Sequence, residues 1–460
     1  MSNYISVFNL NSERNNYHNT FKRRIKGFTC INSHYILKKI FKNLFFAKEM
    51  QIVSYNKKLQ KRLDLSIKDY KNYYQVIIEL DVQPKEKIKG YKNYFLKYID
   101  NRLEKFYHVY FDNKNVEMHR NYYTAKDNVT KIYIVIDYEI KSFYGLFSNC
   151  DCILNIKFLQ FYRKDIINMS GMFCNCYSLL SLDLSEIKTD KVTDFSYMFL
   201  ACFNITNLDL SKFITNNAKD MTSMFKGCNS LENLNIYSFN TKNVKSMKDM
   251  FNSCVSLGKI DFHLRNFNTK NVENMSGMFA YCESLKKLDV YLFITNKVKS
   301  MSFMFLNCKK LKNISVSNFE TGLVNDMAEM FKGCKSLKQI DVTKFNTENV
   351  KYINGMFDNC SSLKYLNIKN FNIKGVKDMS HMFSGCKSLK NLLLPNYFFI
   401  TNDVENTSYM FYCCSSLKEL NIKNFQMNNV LDMDKMFLGC PADLIKKISN
   451  QNRFLVNSSF

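Results

Sequence analysis

From about residue 140 onward the apolar residues return to the same places in the order V-x-x-M-x-x-M-F-x-x-C-x-x-L-x-x-L-x-L-x-x-F. The Met-Phe pair stands at 172–173, 198–199, 224–225, 250–251, 278–279, 304–305, 330–331, 356–357, 382–383, 410–411 and 436–437. Leu146-Phe147 is a degenerate first copy, which makes twelve units. The periodicity changes partway through each unit. Around Cys228, the residues Met221, Met224, Phe225 and Cys228 stand three and four apart, which predicts one face of a short helical segment. Leu234 and Ile236 then alternate with Asn233, Asn235 and Tyr237, the pattern of a short half-exposed strand.

One short helical turn and one short strand cannot bury their own apolar side. Stacking removes the difficulty, because each copy covers its neighbours and the Met, Phe, Cys, Leu and Val positions become internal columns beside parallel strands. Of the 23 Met, 19 fall in two such columns, which favours core packing over a soft-metal site. Twelve of the 16 Cys recur at 150, 176, 202, 228, 254, 282, 308, 334, 360, 386, 414 and 440, every 26 residues with two steps of 28. Such regularity predicts small buried thiols rather than a disulfide framework, and with it a reducing, cytoplasmic location.

These residues carry a resemblance. Cys334, Leu337, Ile340, Val342 and Phe345 resemble the leucine-rich repeat, and the whole unit resembles its BspA-like subgroup. It is most similar to the Mycoplasma-type branch, with repeats of the form N-V-x-x-M-x-x-M-F-x-x-C-x-S-L-x-x-L-D-L-S-x-F-x-T. Asn243-Val244, Met250-Phe251, Cys254, Ser256-Leu257, Leu208-Asp209-Leu210-Ser211 and Phe345-Asn346-Thr347 match it. The resemblance spans about 140–440 and implies a curved protein-binding solenoid, often on cell surfaces. The N-terminus departs from the surface pattern, since no apolar segment there precedes a small-residue cleavage site. The alternative to a cytoplasmic scaffold is a cell-surface adhesin exported by a non-standard route. The expected fold class is therefore α/β, a leucine-rich-repeat-like solenoid of about twelve 26-residue units with parallel short strands, preceded by a smaller α+β region.

The flanks divide into a basic tail (1–27), a helical segment (28–72), an α+β region with an N-terminal cap (73–139), the solenoid (140–440) and a C-terminal cap and tail (441–460). Ile36, Leu37, Ile40, Phe41, Leu44 and Phe45 have helical spacing, and residues 34–70 distantly resemble an F-box-like segment that lacks the usual Leu-Pro opening. That resemblance implies a substrate adaptor as an alternative function. Residues 73–83 and 131–139 alternate as strands, the second expected to cap the solenoid, and Pro441 precedes a closing helix.

Formal charge is +24, and residues 1–139 hold 26 Lys and Arg against 14 Asp and Glu, with a cluster at Lys22, Arg23, Arg24 and Lys26. Such a balance favours acidic or phosphate-rich partners. Within the solenoid, Lys286, Lys312, Lys338, Lys364, Lys390 and Lys418 occupy one column, where the earlier copies have Leu180, Thr206, Glu232 and Gly258. Beside it runs a column containing Asp183, Asp209, Asp261, Asp289 and Asp341, alternating with Asn and Ser. These two columns are the candidate partner-binding residues. Few aromatic residues flank the lysines, which favours an acidic protein over nucleic acid as partner of a monomeric scaffold.

Catalytic signatures are not found. Six His stand apart from partners at motif spacing, and neither a Walker-type or dinucleotide Gly-rich loop nor a G-x-S-x-G occurs. A non-enzymatic protein without a cofactor is expected. Cys150, Cys152, Cys174 and Cys176 form two C-x-C pairs that zinc could use, but the core column accounts for two of the four.

Overall fold

The computed structural model describes residues 31–451 except 43–56, 67–68, 70–71, 73, 84–89, 100–101, 113–115, 138–139, 261–263, 396–402 and 422–428. The basic cluster at 22–26, the C-terminal tail and the centre of the F-box-like segment lie outside the described residues. What is described of that segment comprises α1 (His34–Lys42) and α2 (Lys57–Arg62), which bury Leu37 and Leu59. The Lys38 ammonium pairs with Asp64 at 2.6 Å, and the Arg62 guanidinium donates to the Ile31 carbonyl.

Five strands follow: β1 (Val76–Val82), β2 (Asn93–Tyr94), β3 (Tyr107–Phe111), β4 (Tyr122–Tyr123) and β5 (Lys131–Ile136). Next comes β6 (Ile153–Phe161), and then β7 (Ser181–Asp183), the two joined in parallel with Asn155 opposite Ser181. One sheet runs β3-β5-β1-β6-β7, with β1 antiparallel to both β5 and β6. β6 is therefore the junction, antiparallel on one edge and parallel on the other. The strand at 131–136 does not lie against the first repeat, as its sequence position suggested; β1 does. Val76, Ile78, Leu80 and Val82 of β1 are all buried, which suits the central strand better than an edge.

The solenoid continues through β8 (Asn207–Asp209), β9 (Asn233–Asn235), β10 (Lys287–Leu288), β11 (Asn313–Ile314), β12 (Tyr365–Asn367) and β13 (Asn391–Leu393). β8–β9, β10–β11 and β12–β13 pair in parallel, one unit out of step, so that Leu208 faces Leu234 and Leu366 faces Leu392. α3 (Ala442–Gln451) follows Pro441 and buries Leu444 and Ile448 against the last unit.

The Met-Phe-Cys segment differs from its expected helix. Met221, Met224, Phe225 and Cys228 do face inward and are buried, but Ser223 and Gly227 between them are left-handed, with φ of 53° and 78°. Within the unit, the N–H groups of Met224, Lys226 and Cys228 turn back onto carbonyls three residues earlier. Those of Met221, Ser223, Phe225 and Gly227 instead reach Ser246, Lys248, Met250 and Asn252 of the next unit, at 2.7–3.2 Å. An α-helix would use nearly all these donors internally. The alternating turn sends every second amide along the stack, and so ties the units together through backbone.

Side-chain ladders share that axis. Phe147 begins a series of twelve stacked rings ending at Phe437, with centroids 5.4–6.1 Å apart. Each thiol of the column from Cys176 to Cys440 donates to the carbonyl of the Phe in the preceding unit, as Cys228 does to Phe199 at 3.2 Å. Buried threonines form a third series: the Thr295 hydroxyl donates to the Glu320 carbonyl at 3.0 Å and accepts from the Glu320 N–H at 2.7 Å. Thr189, Thr215, Thr241 and Thr269 repeat that double bond.

Candidate functional site: the strand face

Along each strand, alternate residues point outward because the interleaved Leu, Ile and Val fill the core. Lys286, Lys312, Lys338, Lys364, Lys390 and Lys418 are all exposed. Their backbones are directly stacked: Lys312 N–H donates to Lys286 C=O at 3.0 Å, Lys364 to Lys338 at 3.3 Å, Lys390 to Lys364 at 3.0 Å and Lys418 to Lys390 at 3.4 Å. The structure thus brings the six together as one stripe, with a rung about every 4.8 Å.

What distinguishes the stripe is its alignment, one exposed ammonium per unit at the same position of six successive units. Some lysines elsewhere in the solenoid pair between units, as Lys226 with Asp249 at 2.9 Å, Lys299 with Glu273 at 2.8 Å, Lys309 with Glu283 at 2.6 Å and Lys377 with Glu405 at 2.8 Å. Among the described residues, none of the six stripe ammonium groups has a carboxylate partner within 4.0 Å. Neighbouring like charges on adjacent strands are destabilising, and among the described residues no carboxylate offsets them by direct pairing.

The Asp column has a structural task. Asp183, Asp209, Asp289 and Asp341 each accept the N–H two residues on, from Ser185, Ser211, Tyr291 and Thr343, at 2.9–3.2 Å. They close the turn that ends each strand. Hydrogen bonds from Ser185 and Thr343 hold the Asp183 and Asp341 carboxyls below the usual carboxylate range. Asp261 lies outside the described residues. A related column escaped the sequence reading. Asn168, Asp194, Asp220, Asn274, Asp326, Asp378, Asn406 and Asp432 accept N–H groups two residues on, at the start of the turn segment. Its signal was present as a recurrent Asn, Asp or Ser just before the first Met position.

Three of the four cysteines weighed for zinc are engaged separately. Cys176 donates to Phe147 C=O at 3.0 Å, Cys152 donates to Tyr94 C=O at 3.2 Å, and Cys150 lies at the head of the thiol column. Among the described residues, no group of three or more His, Cys, Asp or Glu is arranged to hold a metal. Burial pushes the Cys228, Cys282 and Cys334 thiols up to about 12. They are therefore protonated, poorly nucleophilic groups at neutral pH.

Between the Asp-rich strands and the lysines, the face dips into an open depression of about 1160 Å³ beside Gly258. It adjoins the first 28-residue step, Cys254 to Cys282. The turn ladder crosses that step unbroken, with Phe251 N–H on Met278 C=O at 2.9 Å and Ser253 N–H on Ala280 C=O at 2.7 Å.

Stacked 26-residue units with parallel strands, a buried Cys column and an outward strand face define a BspA-like leucine-rich-repeat protein. The chain belongs to the family described as Mycoplasma protein of unknown function, DUF285, whose pattern matches residues 141–261, 232–340, 289–397 and 325–450. No curated protein matches it. Among solved structures, the chain is similar to a leucine-rich repeat protein from Bacteroides ovatus (17% identity, 69% of this chain and 88% of that one, TM-score 0.28). It is also similar to one from Eubacterium ventriosum (13%, 60% and 81%, 0.30) and to a leucine-rich cell surface protein from Faecalibacterium prausnitzii (16%, 54% and 74%, 0.29). Among the described residues, no helix is long and apolar enough to cross a membrane.

Proposed function

We propose that this protein is a non-enzymatic scaffold that recognises an acidic protein surface through the lysine stripe of its strand face. The carrying observation is alignment: Lys286, Lys312, Lys338, Lys364, Lys390 and Lys418 are exposed at one position of successive units, their backbones joined along the stack, and among the described residues no carboxylate lies within ion-pair distance of them. A row of exposed, stacked cations offers affinity and orientation to a partner with matching carboxylates. The Asp column contributes less, because its carboxylates are engaged in turns. Buried, protonated thiols support a reducing location for this activity.

The test is a pull-down with partner identification, comparing two variants. Lys312, Lys338, Lys364 and Lys390 changed together to Glu are expected to lose the partner, with wild-type binding weakening at least tenfold as salt rises past physiological strength. Asp183, Asp209, Asp261 and Asp289 changed to Lys are expected to retain it. Retention by a folded Lys-to-Glu variant would move the site off the stripe. Recovery of nuclease-sensitive RNA instead of protein would replace the reading with a nucleic-acid one, and release of repeat peptides by protease treatment of intact cells would place the scaffold outside.

A further inference from the structure

The depression beside Gly258 is not used by the lysine stripe, and its chemistry is different. Its lip carries Asn207 and Asn233, whose carboxamides are joined by an N–H···O bond of 2.7 Å, together with Asp209 and Glu232. The ring of Tyr237 stands beside them, 56% exposed. Gly258 forms part of the floor, in the column that has Glu232 one unit earlier and Lys286 one unit later.

That glycine is not required by the backbone. A Cβ added there would meet Ser284 O at 3.7 Å and Ser256 O at 3.9 Å, ordinary contacts, and its φ is not left-handed. Gly333 shows the opposite case, with φ of +72° and an added Cβ colliding with Asn307. A residue free to carry a side chain, in a column that six later units fill with lysine, leaves space on the strand face instead of relieving strain.

We propose that this depression binds a neutral saccharide chain. Each sugar hydroxyl both donates and accepts, and side-by-side carboxamides and carboxylates supply both complements. Asp209 commits Oδ1 to the Ser211 N–H, which fixes the orientation of the carboxylate toward a ligand. The Tyr237 ring gives an apolar face for the C–H side of a pyranose. Asp209 and Glu232 outnumber Lys259, the one cation of the described lining, which disfavours a polyanion, and the apolar part of the lining suits the C–H faces of a sugar. The site does not depend on the lysine stripe.

Saturation-transfer NMR on the full chain, with neutral gluco-, manno-, galacto- and N-acetylglucosamine oligosaccharides as probes, tests the assignment. Binding to at least one series is expected, insensitive to high salt and unchanged when the four stripe lysines are Glu. Gly258→Lys, which reproduces the residue of later units, is expected to abolish it without lowering the melting temperature. Tyr237→Ala is expected to weaken it at least tenfold, and Glu232→Lys does the same work should Gly258→Lys fail to fold. Silence across all four series, a preference for acidic sugars or peptides, or undiminished binding in folded Gly258→Lys would each overturn the proposal.

Discussion

At the scale of single residues, the polar groups inside the stack are as consequential as the apolar ones. Thr295 satisfies both the N–H and the C=O of Glu320, so Thr295→Val keeps the shape and strands two backbone groups. A loss on the order of 1–3 kcal/mol is expected in denaturant unfolding, and Thr295→Ser, which keeps the hydroxyl, is expected to lose much less. The thiols invite a different measurement. Cys228, Cys254, Cys308 and Cys334 are fully or almost fully buried and donate to carbonyls of the preceding unit. They are expected to react with a thiol reagent only after denaturant is added; rapid native labelling of all four would contradict the burial. Glycine positions separate by the same reasoning. Gly333→Ala is expected to destabilise by at least about 1 kcal/mol, because φ is +72° and the new Cβ meets Asn307, whereas Gly258→Ala is expected to be close to neutral.

At the scale of the element, the unit of structure is a full 26-residue turn joined to the next by alternating backbone bonds. Removing 301–326 leaves Ser300 followed by Met327, so every column and every inter-unit amide keeps a partner. Removing half as many residues would set turn segments over strands. The full-unit deletion is expected to give a soluble protein with a native-like circular dichroism spectrum, and the half-unit deletion to aggregate; equal loss in both would contradict the ladder. The two-residue insertion of the Cys254 unit illustrates the tolerance. Ile260 and Leu264 on either side of it are both buried, and the turn ladder of that unit passes undisturbed to the next.

At the scale of the whole molecule, burial of so many thiols makes stability depend on alkaline pH. Their folded values are raised, to about 12 for Cys228, Cys282 and Cys334, while an unfolded thiol ionises near about 8.5. The stabilising difference is complete below the unfolded value and is lost as pH rises toward the folded one. Each such thiol removes about 1.4 kcal/mol per pH unit in that window. Chemical denaturation between about pH 8.5 and 9.5, before most Tyr and Lys titrate, is expected to show a steep fall in stability. The combined Cys228→Ala, Cys282→Ala and Cys334→Ala variant is expected to show a shallower one, and identical slopes would contradict buried, protonated thiols.

The sequence by itself determined how many units there are, which residues form the buried columns and where the lysines align, because each follows from identity recurring at a fixed period. The left-handed positions were legible too, in retrospect: eight of the 13 glycines occupy the two turn columns, at 145, 171, 227, 277, 333, 355, 385 and 439. Spacing alone still predicted a helix there, since residues three and four apart face one way in a helix and in this alternating turn alike. Only the tertiary structure decided between them, through carbonyls about one unit away that take every second amide. It likewise decided that the Asp column closes turns, that β1 and not β5 meets the first repeat, that the stripe lysines have no carboxylate partner among the described residues, and that a depression lies beside Gly258. Each of these depends on what a neighbour distant in sequence presents, and a period within one chain segment carries no record of that.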